Sequence, residues 1–188
     1  MNRTDKKFCL HRQLLPKILD ALKEEYSILA IDEETVFRYD NTYFDTLDDQ
    51  MYIHHQNGKG NRYKIRVRQY VQSNDNFLEV KFKTNKGRTI KERMKRSDII
   101  SEFKNKEHDF LRKASPYQAT DLYPKIWSTF NRITLVDNNF TERVTIDTFP
   151  GFKNKDHEVV LDNLVIIEVK QSKANKPALV TQVLSAHK

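Results

Sequence analysis

One cysteine, Cys9, in 188 residues leaves no partner for an internal disulfide and too few thiolates for a metal cage. A disulfide-stapled secreted scaffold and a structural zinc fold are therefore not expected, and a reducing compartment fits best. Glycine is also scarce, at four residues, which argues against a fibrous or low-complexity chain. No apolar run approaches the about 20 residues of a membrane span, and the opening MNRTDKKFCLHRQLL lacks the apolar centre of a signal peptide. The expectation is a soluble, cytoplasmic protein.

What the chain has in quantity is charge. Charged residues make up 31% of it, with a formal net charge of +7 and a pI near 9.3. Such a balance points to an anionic partner: nucleic acid, nucleotide, polyanion or acidic membrane surface. Charge alone does not choose among them. Hydrophobic residues at 38% are enough for a folded core, and the length suits a single domain over residues 1–188.

The order of elements narrows the fold. His11 to Tyr26 places Leu14, Leu15, Ile18, Leu19 and Leu22 at helical spacing, with Pro16 near the first turn. From Thr35 the pattern becomes strand-like: VFRYDNTYFDT, MYIHHQ, RYKIRVRQYV, NFLEVKFKT and RTIKERMKR. Turn-forming residues separate several of these, at Asn57-Gly58, Ser73 to Asn76 and Asn85 to Arg88, which predicts an antiparallel meander. Ser97 reads as the N-cap of a helix through about Lys113. KIWSTFNRITLV, ERVTIDTF, HEVVL and NLVIIEVKQS return to strand, before a short helix opened by Pro177. The sum is α+β: roughly eight antiparallel strands with helices at the start, middle and end.

Strand side chains alternate between faces, so each segment can be sorted. One face collects Lys64, Arg66 and Arg68; Glu79, Lys81 and Lys83; Lys91, Arg93 and Lys95; Arg132; Arg143 and Asp147; Glu168 and Lys170. The other collects Tyr63, Ile65 and Val67; Leu78, Val80 and Phe82; Ile90 and Met94; Val144 and Ile146; Ile167 and Val169. For one strand alone this is an ordinary sheet with a wet side. Across adjacent strands, however, basic residues far outnumber acidic ones. Like charges about 5 Å apart at an effective dielectric near 20 cost about 3 kcal/mol per pair before screening. A dense anion offsets that repulsion through charge-assisted hydrogen bonds, and a phosphate chain fits. A barrel closed with this face inward, its apolar face covered by helices, would present such a lining.

RYKIRVRQY, FLEVKFKT, RTIKERM, FNRITL, RVTIDT and IIEVKQ, in this order, resemble the VTC domain, the polyphosphate-polymerase-like branch of the triphosphate tunnel metalloenzymes, which also include the CYTH phosphohydrolases. RTDKKF is similar to that family's first strand, and YFDT at Tyr43 to Thr46 to the segment after its first helix. The resemblance implies an antiparallel β-tunnel with a basic interior. By motif it makes Lys7, Lys64, Arg66, Arg68, Lys81, Lys83, Lys91, Arg93, Arg132, Arg143 and Lys170 phosphate ligands, with Arg3 joining from the first strand. Arg66, Arg68, Lys81, Arg132, Arg143 and Glu168 carry catalysis in that reading, and Glu168 with Glu79 holds Mn²⁺ or Mg²⁺. Two departures stand out: Asp5 replaces the usual Glu, and the sequence stops at Lys188, where the family adds a further strand bearing a basic residue, so that last strand is expected to be lacking.

The implied chemistry is phosphoryl transfer by positioning and charge neutralisation. A polyphosphate polymerase lets a chain end attack ATP; a phosphohydrolase uses water activated near Glu79 or Glu168. A binding module without catalysis is the third reading. Nucleic acid is disfavoured as partner because aromatic platforms among the basic residues look largely absent. Phe130 shares the Arg132 face and is a candidate for stacking on a base, with ordinary packing the alternative. His54-His55 is not expected to bind a metal, since strand neighbours face opposite ways. Tyr123 and Trp127 read as packing or strand-entry residues, and Glu33-Glu34 and Asp48-Asp49 as solvated turns. A membrane partner that accepts polymer is compatible with the sequence, which does not set the oligomeric state.

Overall fold

The structure is a computed structural model and describes residues 3–99, 102–172 and 178–186. Ten strands and four α-helices occur among them. The strands are β1 Arg3–His11, β2 Tyr26–Ile28, β3 Phe37–Asp45, β4 Arg62–Tyr70, β5 Asp75–Lys83, β6 Thr89–Arg96, β7 Tyr123–Asp137, β8 Glu142–Lys153, β9 Glu158–Val160 and β10 Leu164–Ser172. The helices are α1 Leu15–Leu22, α2 Gln50–Gln56, α3 Asn105–Ala114 and α4 Leu179–Ser185. Hydrogen bonding orders the sheet β1-β10-β8-β7-β3-β4-β5-β6, with β2 on β7 and β9 on β8. Among the described residues this pairing order runs from β1 to β6. The α+β antiparallel architecture is as the sequence predicts, with ten strands in place of about eight. No helix among the described residues is long and apolar enough to cross a membrane.

The chain divides into two compact units. The first comprises residues 1–38, 130–151 and 160–188. Here β1 pairs antiparallel with β10, and β10 with β8. Alternation puts Phe8 and Leu10, Val144 and Ile146, and Val165, Ile167 and Val169 on one face. Ile18 and Leu22, one helical turn apart on α1, and Val180 and Leu184 of α4 pack onto it, all buried. Pro16 sits in the first turn of α1, where its missing N–H is harmless. Pro177 lies outside the described residues. A buried Tyr26 hydroxyl hydrogen-bonds the Glu142 carboxylate, tying β2 to β8.

The second unit comprises residues 39–129 and 152–159, with β3, β4, β5 and β6 as an antiparallel meander. The β5–β6 turn falls where the sequence predicts it, whereas the β4–β5 turn spans Val71 to Asn74, ahead of the expected Ser73 to Asn76, and Asn57-Gly58 follows the end of α2. Gly87, at φ +78°, permits the β5–β6 turn, in which its N–H donates to the Thr84 carbonyl at 3.0 Å. Ile65, Val67, Leu78 and Val80 form the apolar face, covered by Met51 of α2, Leu111 of α3, and Ala119 and Leu122.

Three expectations are corrected. MYIHHQ is helix, not strand. The buried Asp45 carboxylate accepts from the backbone N–H of Met51 at 2.9 Å and of Tyr52 at 2.8 Å, satisfying donors at the helix start. On this helix His54 Nε2 contacts Lys59 Nζ at 3.1 Å. The middle helix begins at Asn105, not Ser97, because Glu107 reaches back to accept from the Lys104 N–H at 2.7 Å. Ile100 and Ser101 of its expected first turns lie outside the described residues. Asp49 is also more than a solvated turn residue, since it pairs with Lys125 at 2.9 Å.

Candidate functional site

In the second unit the face opposite the helices is basic, and register arranges it in rows across the strands. Lys64, Lys81 and Lys91 form one row; Tyr43, Arg66, Glu79 and Arg93 the next; Asn41, Arg68, Phe77 and Lys95 a third. The rows follow from alternation: the residues between them, Ile65, Val67, Leu78 and Val80, are committed to the core.

One carboxylate sits at the centre. Glu79 is 0% exposed, and its Oε2 accepts from Arg66 Nε at 2.8 Å and Nη2 at 2.6 Å. Its Oε1 lies 2.5 Å from Lys91 Nζ. Burial alone would raise its pKa, but Arg66, Lys91 and Arg68 outweigh it and hold the carboxyl at about 2. Arg66 Nη1 also donates to the Tyr43 hydroxyl at 3.0 Å. Burial opposes ionisation of that hydroxyl too, yet Arg66, with Arg68 and Lys64 beyond it, lowers its pKa. Arg68 donates through Nε to Asn41 Oδ1 at 2.8 Å, and Asn41 Nδ2 donates to the Ser128 carbonyl at 3.2 Å. Glu79 and Tyr43 thus fix Arg66, and Asn41 fixes Arg68.

Lys81 differs from its neighbours. Burial, with Arg66 the main adjoining cation, lowers its pKa to about 8 despite Glu79. Register flanks it with Lys64 and Lys91. Lys64, Lys83, Lys91 and Arg93 are exposed. Across these rows the cations outnumber the one carboxylate, Glu79.

The first unit carries the remaining expected residues, again opposite its core. Register sets Lys7 beside Glu168 and Lys170 beside Arg143. Arg132 grips Asp147 through two bonds, Nε to Oδ1 at 2.6 Å and Nη2 to Oδ2 at 2.7 Å, and lies 4.9 Å from the Phe130 ring centroid. Lys170 donates to Glu168 Oε2. Burial would raise the Glu168 pKa, but Lys170, Lys7 and Arg132 bring it below the usual carboxylate value. Arg143 is exposed, and the Arg3 side chain lies outside the described residues.

The two expected metal ligands stand differently. Both Glu79 oxygens are held by cations, which suits a structural anion better than a metal ligand. Glu168 keeps Oε1 without a hydrogen bond among the described residues and is ionised at neutral pH, as a hard-cation ligand must be. No group of three or more His, Cys, Asp or Glu side chains converges among the described residues. Glu168 therefore fits Mg²⁺ or Mn²⁺ only in the usual phosphate-site manner, with one or two carboxylates and the remaining ligands from phosphate and water. The sequence alone assigns no binding role to Tyr43, Asn41 or Asp147. Their signal was register: Tyr43 faces Arg66, and Asn41 faces Arg68.

The sequence profile of the VTC domain matches residues 2–188. Among solved structures, a candidate adenylyl cyclase from Hippeastrum, described as having a dominant triphosphatase activity, is similar at TM-score 0.58 and 12% identity, over 99% of this chain and 85% of that one. A candidate adenylate cyclase from Vibrio parahaemolyticus follows at TM-score 0.53 and 12% identity, over 99% and 87%. A Pyrococcus horikoshii protein gives TM-score 0.52 and 10% identity, over 98% and 86%. At such identities the likeness is one of fold. No curated protein matches the sequence. With the profile spanning almost the whole chain and the basic strand faces in place, the chain belongs to the VTC domain family.

Proposed function

We propose that this chain binds the phosphates of a triphosphate, nucleoside triphosphate or polyphosphate on its basic strand faces and transfers a phosphoryl group with a divalent ion, in the manner of a polyphosphate polymerase. The observation that carries the reading is the row structure of the second unit, where fixed arginines and a lysine row surround one neutralised carboxylate. Lys64, Arg66, Arg68, Lys81, Lys83, Lys91 and Arg93 would take phosphate oxygens there; Lys7, Arg132, Arg143 and Lys170 would do so in the first unit. Such groups bind, orient and neutralise, which is most of what phosphoryl transfer asks of a protein. Glu168 would hold the Mg²⁺ or Mn²⁺, which when bound supplies charge neutralisation at phosphate oxygens. Arg132, oriented by Asp147, would stabilise charge on phosphate held in the first unit.

Hydrolysis of triphosphate is the second reading, favoured by the triphosphatase activity described for the Hippeastrum protein of like fold. Incubation with Mn²⁺ and ATP, read for both polymer and free phosphate, separates the two. Polymer supports the polymerase reading and phosphate alone the hydrolase. Binding of triphosphate without turnover leaves a binding module, and absence of binding overturns all three. Arg132→Ala should lower turnover by about a hundredfold or more, the loss typical of an electrostatic stabiliser.

A further inference from the structure

The β3–β5 region of the second unit carries aromatic rings on both faces. Tyr63 stacks on Phe82 at 4.5 Å and meets Tyr117 at 5.9 Å on the helix-covered side. Tyr39, Tyr70 and Phe77 lie on the basic side: Tyr39 and Tyr70 have centroids 5.0 Å apart, and Tyr70 meets Phe77 edge-on at 5.8 Å. The Arg68 guanidinium sits 5.1 Å from the Tyr39 centroid and that of Arg93 4.8 Å from Phe77. All three rings are partly exposed, and the core of this unit lies on the opposite face.

We infer that Tyr39, Tyr70 and Phe77 receive the base of a nucleoside triphosphate whose phosphates run along the adjacent basic rows. The inference rests on the proposed function and adds a direction to it. Phe77 belongs to the Arg68 row, and the lysine row of Lys81 is four residues further along β5. At about 3.4 Å per residue this is roughly 14 Å, comparable to an extended nucleoside triphosphate. The base lies at the ring end, the α- and β-phosphates pass Arg68 and Arg66, and the terminal phosphate reaches Lys64, Lys81 and Lys91. Stacking on rings and guanidinium planes discriminates weakly among bases, so ATP and GTP should both bind. The expected paucity of aromatic platforms among the basic residues does not hold in this unit: their strand parity was readable, but their convergence required register.

The test is calorimetric titration of ATP and of inorganic triphosphate, each with Mn²⁺, into the full chain and its Phe77→Leu and Tyr70→Leu variants. Loss of a stacking ring should weaken ATP binding by about five- to a hundredfold and leave triphosphate within about twofold. Equal losses for both ligands, or none for ATP, overturn the inference while leaving the proposed function standing. If the wild-type protein binds neither ligand, both fall. Should the variants fail to fold, nuclear Overhauser contacts between adenine protons and Phe or Tyr rings of the wild type decide: their presence supports the inference, and their absence with ATP bound overturns it. Displacement of ATP by oligouridylate at lower concentration than by triphosphate would assign the rings to a nucleic-acid strand and also overturn it.

Discussion

Glu79 and Lys81 are neighbours on one strand face, and both pKa values are lowered, which favours the charged form of Glu79 and the neutral form of Lys81. For Glu79 the folded pKa of about 2 lies below the ordinary 4.5. Its contribution, on the order of 3 kcal/mol, is therefore complete above pH 4.5 and lost as pH falls toward 2. Glu79→Ala should destabilise by about 3–5 kcal/mol in urea unfolding, because Arg66 is left buried without its counter-charge. Excess triphosphate should recover part of that loss, as a ligand of the folded state does. For Lys81 the folded pKa near 8 lies below 10.5, so the folded protein holds fewer protons between those values. A bound polyanion favours the charged amine. Triphosphate affinity should accordingly fall as pH rises through 8, and Lys81→Arg should flatten the part of that profile due to this residue. Titrations from pH 7 to 9.5 on both proteins check it; identical slopes would show that Lys81 is not at the ligand.

At the scale of elements, the strands were legible because alternation is local and nearly unbroken in RYKIRVRQY and FLEVKFK. The helices were less so. MYIHHQ is short and rich in residues that suit strands, and what makes it α2 is Asp45, beyond a turn that includes Asp49 at φ +57°. That cap acts across several residues, outside a propensity window. Asp45→Ala should leave the Met51 and Tyr52 N–H groups without their acceptor, cost about 1–2 kcal/mol and speed their amide exchange. Unchanged exchange there would mean that packing of Met51 alone holds the helix. Leu111→Ala on α3, under the basic sheet, should cost about 2–5 kcal/mol in denaturant unfolding.

At the scale of the whole molecule, composition pointed to an anionic partner, and strand parity divided the residues into an oily and a basic set. Register then supplied what parity alone lacked: which cations stand in one row, that Glu79 is neutralised inside the sheet, and that Tyr43 and Asn41 fix the arginines. The account depends on the basic faces being a ligand surface and not merely a hydrated one. Calorimetric titration of inorganic triphosphate at rising potassium chloride tests this most directly. Saturable binding at low salt that weakens steadily as ionic strength rises is the predicted result; no saturable binding at low ionic strength would contradict it.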